Sequence, residues 1–185
     1  MTGALHLGFV NGYSPRWAGR LGAEVESALS MRVTPIELDL DIDAYYASDR
    51  GQFNSTMMLA GVLRRLPDPA TRIVGITHVD LFIPVLTFVF GQAQLGGVAA
   101  LVSTYRLRRE FYGLPADEPN LVDRTVKEVV HEVGHTLGLV HCPDYSCVMH
   151  AATYVEDVDL KSRRFCRECQ GLLSEPAPVG RANPY

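Results

Sequence analysis

The feature that most constrains the fold is the alternation of strand-like and helix-like patterns in the first half of the chain. Residues 4–10 form a short apolar run before the turn pair Asn11-Gly12, and this run predicts a buried strand. Residues 15–30 carry an apolar residue at every fourth position, which predicts a helix. The same reasoning gives a strand, a helix and a strand over 33–40, 54–66 and 72–76, with 41–53 irregular. This order predicts a largely parallel, twisted sheet with packed helices, an α/β (α+β) fold.

The second half of the chain adds two strands and one long helix to this plan. Strands are predicted over 87–90 and 98–104, separated by the glycine-rich segment 91–97. The pattern of 120–137 is the strongest helix signal, with Asn120 as its predicted cap. After Gly138 the chain is irregular and contains cysteines, and we expect a loosely ordered tail over 174–185. With no linker in sight, residues 1–185 are expected to form a single domain.

Composition and hydropathy exclude several classes of protein. The formal net charge of −4 argues against a nucleic-acid-binding protein. The longest apolar stretch, residues 81–90, is too short to span a bilayer and is interrupted by Pro84. No lysine or arginine precedes the first apolar run, so a secretory signal is not indicated. We therefore expect a soluble, cytoplasmic protein with no membrane partner, whose thiols stay reduced.

The run from His131 to His141 reads HEVGHTLGLVH and carries candidate chemistry. On a helix, His131 and His135 lie one turn apart on the same face, so both imidazoles can reach one metal ion. Glu132 projects beside them, where its carboxylate can take a proton from a water at the metal. Gly138 lets the helix end in a left-handed turn, after which His141 can supply a third ligand. Three nitrogen ligands leave one tetrahedral position open, which is the arrangement of a catalytic zinc.

The alternative is that these histidines are ordinary helix residues and Glu132 a solvated acid. The two-histidine pentad alone is only moderately specific. The added glycine and third histidine, at the correct offsets, favour the metal site.

The four cysteines all lie in the last quarter of the chain, at positions 142, 147, 166 and 169. A disulfide framework normally spreads its bridges over more of a sequence. Clustering in an expected intracellular protein therefore indicates a metal site, with disulfides as the alternative.

The eleven-residue run is the metzincin signature, which also requires a methionine in a later turn; Met149 is the candidate. The combination of HC-x4-C-x-M with a distant C-x-x-C closely resembles the archaemetzincin family over residues 131–170. The resemblance implies a compact, single-domain metzincin fold with Met149 as the Met-turn. It implies a catalytic zinc on His131, His135 and His141, with Glu132 as general base. It also implies a structural zinc on the four cysteines, Cys142, Cys147, Cys166 and Cys169. Such a closed all-thiolate site would fasten the Met-turn segment to a helix that begins near Cys166.

The predicted function is that of a zinc-dependent metallopeptidase, an endopeptidase or aminopeptidase-like enzyme, acting as a monomer on peptides or unfolded proteins. Two alternatives remain: hydrolysis of a non-peptide amide, or a metal-bound regulatory protein with little turnover. By analogy with metzincins, the peptide would pair with an edge strand, here expected at residues 98–104, with Thr104 and Tyr105 lining the cleft. His150 is expected to be a wall residue or solvated.

Overall fold

The structure, a computed structural model, describes residues 3–174. Its strands, in chain order, are β1 (Ala4–Val10), β2 (Arg32–Leu38), β3 (Tyr46–Ala47), β4 (Gln52–Asn54), β5 (Arg72–Thr77), β6 (Leu81–Phe82), β7 (Gly91–Ala93) and β8 (Ala99–Ser103). Its α-helices are α1 (Ala18–Leu29), α2 (Ser55–Leu63), α3 (Glu118–Thr136), α4 (Val155–Leu160) and α5 (Arg167–Ser174). Two short 3₁₀ helices lie at Ile42–Tyr45 and Arg109–Tyr112.

The main sheet has five strands in the order β2-β1-β5-β8-β7. The first four strands are parallel, and β7 pairs antiparallel with β8 at the edge. The predicted mixed α/β fold is thereby confirmed. A second, three-stranded sheet of β3, β4 and β6 was not predicted, and two of its strands lie in the segment expected to be irregular.

Helices cover both faces of the main sheet, so its central strands are buried on both sides. On one face, Val74 and Val102 pack into a cluster with α1 and α3. On the other, Ile73 and Leu101 pack against α2, where Val62 is fully buried. Neighbouring residues of a strand point to opposite faces, so these strands are apolar at almost every position. The packed sheet gives α3 a rigid support.

The edge strand on the α3 side of the main sheet is β7, and the prediction that residues 98–104 form this edge is wrong. That segment does form a strand, β8, but it lies between β5 and β7. The strand predicted at 87–90 is also wrong, because only Val89 makes an isolated bridge, to Leu81. The prediction failed because the glycines of segment 91–97 were read as a loop. Gly91 in fact begins the edge strand β7. Gly96, with a φ of +67°, turns the chain towards β8.

Helix α3 begins two residues earlier than predicted. Its cap is Asp117, whose carboxylate accepts a hydrogen bond from the Asn120 N–H at 3.0 Å. Asn120 itself lies inside the first turn. At the other end Gly138 adopts a φ of +93°, the left-handed conformation expected for the residue that turns the chain away from the helix.

Within residues 3–174, no helix has the length and apolar character needed to cross a bilayer. The tail predicted over 174–185 lies outside the described residues, apart from Ser174 at the end of α5.

Candidate active site and metal centres

Three histidines meet at the end of α3. His131 and His135 lie one turn apart on the buried side of the helix, and their Nε2 atoms are 3.1 Å apart. The left-handed turn at Gly138 brings His141 to the same point, so that one ring nitrogen from each histidine lies within 4.8 Å of the others. The structure therefore brings together the three residues that the sequence assigned to one metal.

Hydrogen bonds on the far side of two rings fix their orientation. The Nδ1–H of His131 donates to the Val148 carbonyl at 2.8 Å, and that of His135 donates to the Leu139 carbonyl at 2.8 Å. A ring protonated at Nδ1 carries an unshared electron pair at Nε2. Two such pairs facing each other repel unless a cation lies between them. A tetrahedral zinc with Zn–N bonds of about 2.0–2.1 Å would place its nitrogens about 3.3–3.4 Å apart, close to the distance found.

Burial also keeps the three rings in the neutral form that binds metal. Desolvation lowers the pKa of His135 and His141, and it places the pKa of His131 well below its usual value. The charge of Lys161 acts in the same direction on all three pKa values. The donor set thus fits a divalent cation at neutral pH.

Glu132 lies beside the histidines and is only 5% exposed. Burial raises the pKa of its carboxyl well above the usual value; the charge of Glu128 adds to this rise and that of Lys161 opposes it. A cation at the histidines would lower that pKa again. The carboxyl fits closely under β7: a Cβ on Gly91 would lie 2.6 Å from Glu132 Oε1 and 2.8 Å from the Leu101 carbonyl oxygen. Gly91 therefore makes room for Glu132, a role that its sequence context did not indicate.

Met149 is fully buried against α3, in a turn closed by a hydrogen bond from the His150 N–H to the Cys147 carbonyl at 3.0 Å. A Cβ on Gly134, between the two helix histidines, would collide with Met149 Sδ. The Met149 carbonyl accepts a hydrogen bond from the Cys142 N–H at 2.9 Å. The methionine thus packs beneath the histidines, next to the residue that follows the third of them.

The four cysteines form a second cluster, with all sulfur atoms within 4.8 Å of one another. The sulfur atoms of Cys142 and Cys166 are 3.8 Å apart, as are those of Cys147 and Cys169. A disulfide bond is about 2.05 Å long, so neither pair is bonded. A tetrahedral zinc with Zn–S bonds of about 2.3 Å has edges of about 3.8 Å, which is the spacing found. All four thiols are free, and their arrangement fits a closed metal site rather than disulfides.

A cleft of about 670 Å³ opens above the histidines. Its upper wall is β7 with the preceding segment 86–90, its floor is α3, and its lower wall is segment 151–154. The prediction that Thr104 and Tyr105 line the cleft is wrong, because Thr104 is buried against the Thr77 carbonyl. His150 also lies outside the cleft lining, half-buried with its ring 4.3 Å from that of Tyr145.

Two charged cleft residues, Glu128 and Lys161, were missed by sequence reasoning. Glu128 had a usable signal, because it lies four residues before Glu132 and so shares a helix face with it. Lys161 had none, because it reaches the cleft from the segment after α4.

A family model described as Peptidase family M54 matches residues 20–175, which is 156 of the 185 residues. The chain belongs to peptidase family M54. Among curated members, the archaemetzincin of Methanocaldococcus jannaschii is 47% identical over 139 residues, which is 75% of each chain. The resemblance to archaemetzincins drawn from the cysteine and histidine spacing is therefore confirmed.

Solved structures of similar proteins share the fold of this chain over most of its length. The crystal structure of archaemetzincin from Methanopyrus kandleri matches with a TM-score of 0.80 at 36% identity, over 92% of this chain and 93% of that one. A structure described as a zinc-dependent peptidase from Methanocorpusculum labreanum matches with a TM-score of 0.84 at 29% identity, over 92% of this chain and all of that one.

Proposed function

We propose that this M54 protein is a zinc-dependent peptidase whose catalytic zinc is held by His131, His135 and His141. The observation that carries the proposal is the pair of Nε2 atoms 3.1 Å apart, each on a ring whose Nδ1–H is already donated to a carbonyl. The open side of this group faces a cleft large enough for a peptide segment. Membership of a peptidase family and the likeness to a zinc-dependent peptidase support the same function.

Zinc, when bound, supplies a Lewis acid that polarises the scissile carbonyl and acidifies a water molecule. Glu132 acts as the general base that takes the proton of the attacking water, and then passes it to the leaving amine. Its buried position under Gly91 fixes the carboxyl near the histidines and keeps bulk water away from it. Met149 and Gly134 hold the helix and the following turn in register beneath the histidines.

The edge strand β7 is the surface best suited to hold the substrate backbone. It pairs with β8 on one side only, and residues of β7 line the cleft. An extended peptide can add to such an edge through main-chain hydrogen bonds, which position the chain without reading its side chains. The scissile bond would then lie above His131, His135 and Glu132.

We further propose that Cys142, Cys147, Cys166 and Cys169 hold a second, structural zinc. Four thiolates complete its coordination and leave no position open for chemistry. The sulfur spacing of 3.8 Å supports this assignment.

The test is cleavage of a diverse peptide library by the zinc-loaded protein, read by mass spectrometry. Glu132→Gln keeps the shape of the side chain and removes its basicity, so we expect cleavage to fall about 10²–10⁴-fold while zinc stays bound. Fragments produced equally by the parent and by Glu132→Gln would show that the activity comes from elsewhere. No cleavage by a parent that carries both zinc ions would overturn the peptidase proposal.

A further inference from the structure

We propose that Leu95 and Val140 form an apolar subsite at the His135 end of the cleft, which selects substrates with a bulky apolar side chain beside the scissile bond. The inference rests on the proposed peptidase function and names the substrate class of that site. Neither residue supplies a metal ligand or a group that transfers a proton, so the two act on the choice of substrate and leave the chemistry to the histidines and Glu132.

Both residues are held next to the same histidine, although they come from different segments of the chain. Leu95 follows β7, and the next residue, Gly96, donates its N–H to the His135 carbonyl at 2.9 Å. Val140 follows Leu139, whose carbonyl accepts the Nδ1–H of His135 at 2.8 Å. The two apolar residues therefore line the cleft within one residue of a hydrogen bond to His135.

The exposure of the two side chains makes them available to a ligand. Leu95 is 47% exposed and Val140 is 63% exposed, whereas Leu139 between the helix and Val140 is buried in the core. A single exposed apolar side chain is ordinary on a protein surface. Two that line one end of the same cleft form an apolar surface, which a bound side chain would remove from contact with water. Removal of apolar surface from water favours binding of an apolar group.

The charged side chains of the cleft lie towards its other end. Glu128 and Lys161 pair with each other at 3.0 Å, and Glu128 lies one turn before Glu132 on α3. His135 lies on the opposite side of Glu132, nearer the end of the helix. Among the described residues that line the cleft, these three are the only acidic or basic side chains apart from the histidines. An ionised side chain beside His135 would therefore lose water without meeting an oppositely charged side chain.

The face of β7 above the helix leaves room for a side chain. Gly91 and Ala93 lie on the same face of the strand, because alternate residues share a face, and Gly91 faces Glu132. Gln92 points to the opposite face, where its amide donates to the Thr56 hydroxyl at 3.1 Å. The upper wall therefore presents only one methyl group between the general base and the apolar subsite. This spacing suits a side chain of the size of leucine.

The test uses zinc-chelating hydroxamates, so that it does not depend on turnover. Two series place the variable side chain on either side of the chelating group, so that one series reaches the apolar subsite whichever way a substrate runs. Each series contains a leucine, an asparagine and a glycine compound, and their binding to the zinc-loaded protein is measured by calorimetry. Leucine and asparagine side chains have similar shapes and differ in polarity. In one series we expect the leucine compound to bind at least about tenfold tighter than the asparagine compound.

The double variant Leu95→Asn/Val140→Thr keeps the shapes of both side chains and replaces their apolar surface with polar groups. We expect it to reduce the leucine preference to less than about threefold. The control Val85→Thr/Leu172→Asn makes the same two changes at exposed positions outside the cleft lining, and it should keep the preference of the parent. If the double variant does not fold, Val140→Thr alone takes its place and should reduce the preference by about half.

The outcomes separate this proposal from the proposed function. A parent without a leucine preference in either series would overturn the proposal of an apolar subsite. A preference that survives in Leu95→Asn/Val140→Thr, or that is lost equally in the control, would also overturn it. Failure of the glycine compounds to bind would instead count against the metal site and with it both proposals.

Discussion

The histidine and cysteine clusters lie next to each other along the chain but are built in opposite ways. The histidine cluster is carried by α3, a 19-residue helix whose Val126, Val129 and Val130 are fully buried in the core. The cysteine cluster is carried by turns and by one end of α5, an eight-residue helix. The histidine cluster opens onto a cleft. In the cysteine cluster the four sulfur atoms face one another around a single point.

This difference separates the roles of the two zinc ions proposed above. The fold supports the histidine cluster whether or not a metal is present, because the core already fixes α3. The cysteines also pack against the core, but they lie on turns and at one end of α5, so the proposed zinc would join segments that no single helix or strand holds together. We expect removal of the first metal to abolish chemistry and removal of the second to abolish structure.

The largest expected effect comes from breaking the cysteine cluster. Cys166→Ser removes one thiolate, and we expect it to lower the free energy of unfolding by roughly 5 kcal/mol, part of the 10–16 kcal/mol that structural zinc contributes in small domains. His135→Asn, the matched change in the histidine cluster, should cost less, because the core holds α3 in place and only the stabilisation by the bound zinc itself is lost. Urea unfolding and metal analysis measure both, with two zinc ions expected in the parent and one in each variant. A His135→Asn protein less stable than Cys166→Ser would reverse the comparison.

A smaller effect is expected where the two clusters meet. In Gly134→Ala the new Cβ collides with Met149 Sδ and lies 3.0 Å from Phe165, so we expect a loss of about 1–3 kcal/mol and weaker zinc binding at the histidines. Gly171→Ala is the control, because a Cβ there meets nothing within 4 Å and alanine favours helix α5 by up to about 1 kcal/mol. Thermal unfolding of the two variants gives the comparison. A Gly134→Ala protein as stable as Gly171→Ala would show that Met149 does not depend on this contact.

The smallest effect concerns the segment between Met149 and the last two cysteines, which an ion pair also holds to α3. Hydrogen bonds from Arg124 lower the pKa of Asp159 below its usual value. A lowered pKa stabilises the fold above the unfolded pKa of about 3.9, and this contribution is lost as the pH falls through the folded value. Because Asp159 is partly exposed and its charge is screened by solvent, we expect Asp159→Asn to cost at most about 1 kcal/mol at pH 7.

The pH dependence separates this effect from lost packing. In urea unfolding, the difference in stability between the parent and Asp159→Asn should be fully present at pH 7 and should shrink steadily as the pH falls below the unfolded pKa of about 3.9. Asp43→Asn, at an exposed residue without a side-chain hydrogen bond or ion pair among those described, should match the parent at pH 7 and at pH 3. A cost for Asp159→Asn that is the same at pH 7 and pH 3 would show that the ion pair is not its source.

Much of the fold and the metal clusters could be predicted because their signals are local. The positions of His131, His135 and Gly138 are related by one helix and its ending turn, which spacing alone describes. The strands β1, β5 and β8 are short and mostly apolar, and their order with the helices indicated a parallel sheet.

The rest could not be predicted because it depends on contacts between distant segments. Gly91 looked like a loop residue, because the reason for a glycine in this edge strand is a contact with the carboxyl of Glu132, more than forty residues later. Lys161 had no signal, because its partner Glu128 is brought near only by the path of the chain after Met149. The cap at Asp117 was missed since Asn120, three residues on, is equally suited to capping by its chemistry.

The backbone of Val148 matters for any attempt to transplant the histidine site into another protein. Its carbonyl receives the Nδ1–H of His131, while the N–H of the same residue donates to the Arg164 carbonyl at 3.0 Å, close to the second pair of cysteines. The orientation of the first histidine is thus set by chain that lies outside the eleven-residue motif. A designer who transplanted only His131 to His141 onto another helix would carry over the ligands without the carbonyl that aims the first of them. The smallest portable unit is the whole stretch from α3 to α5.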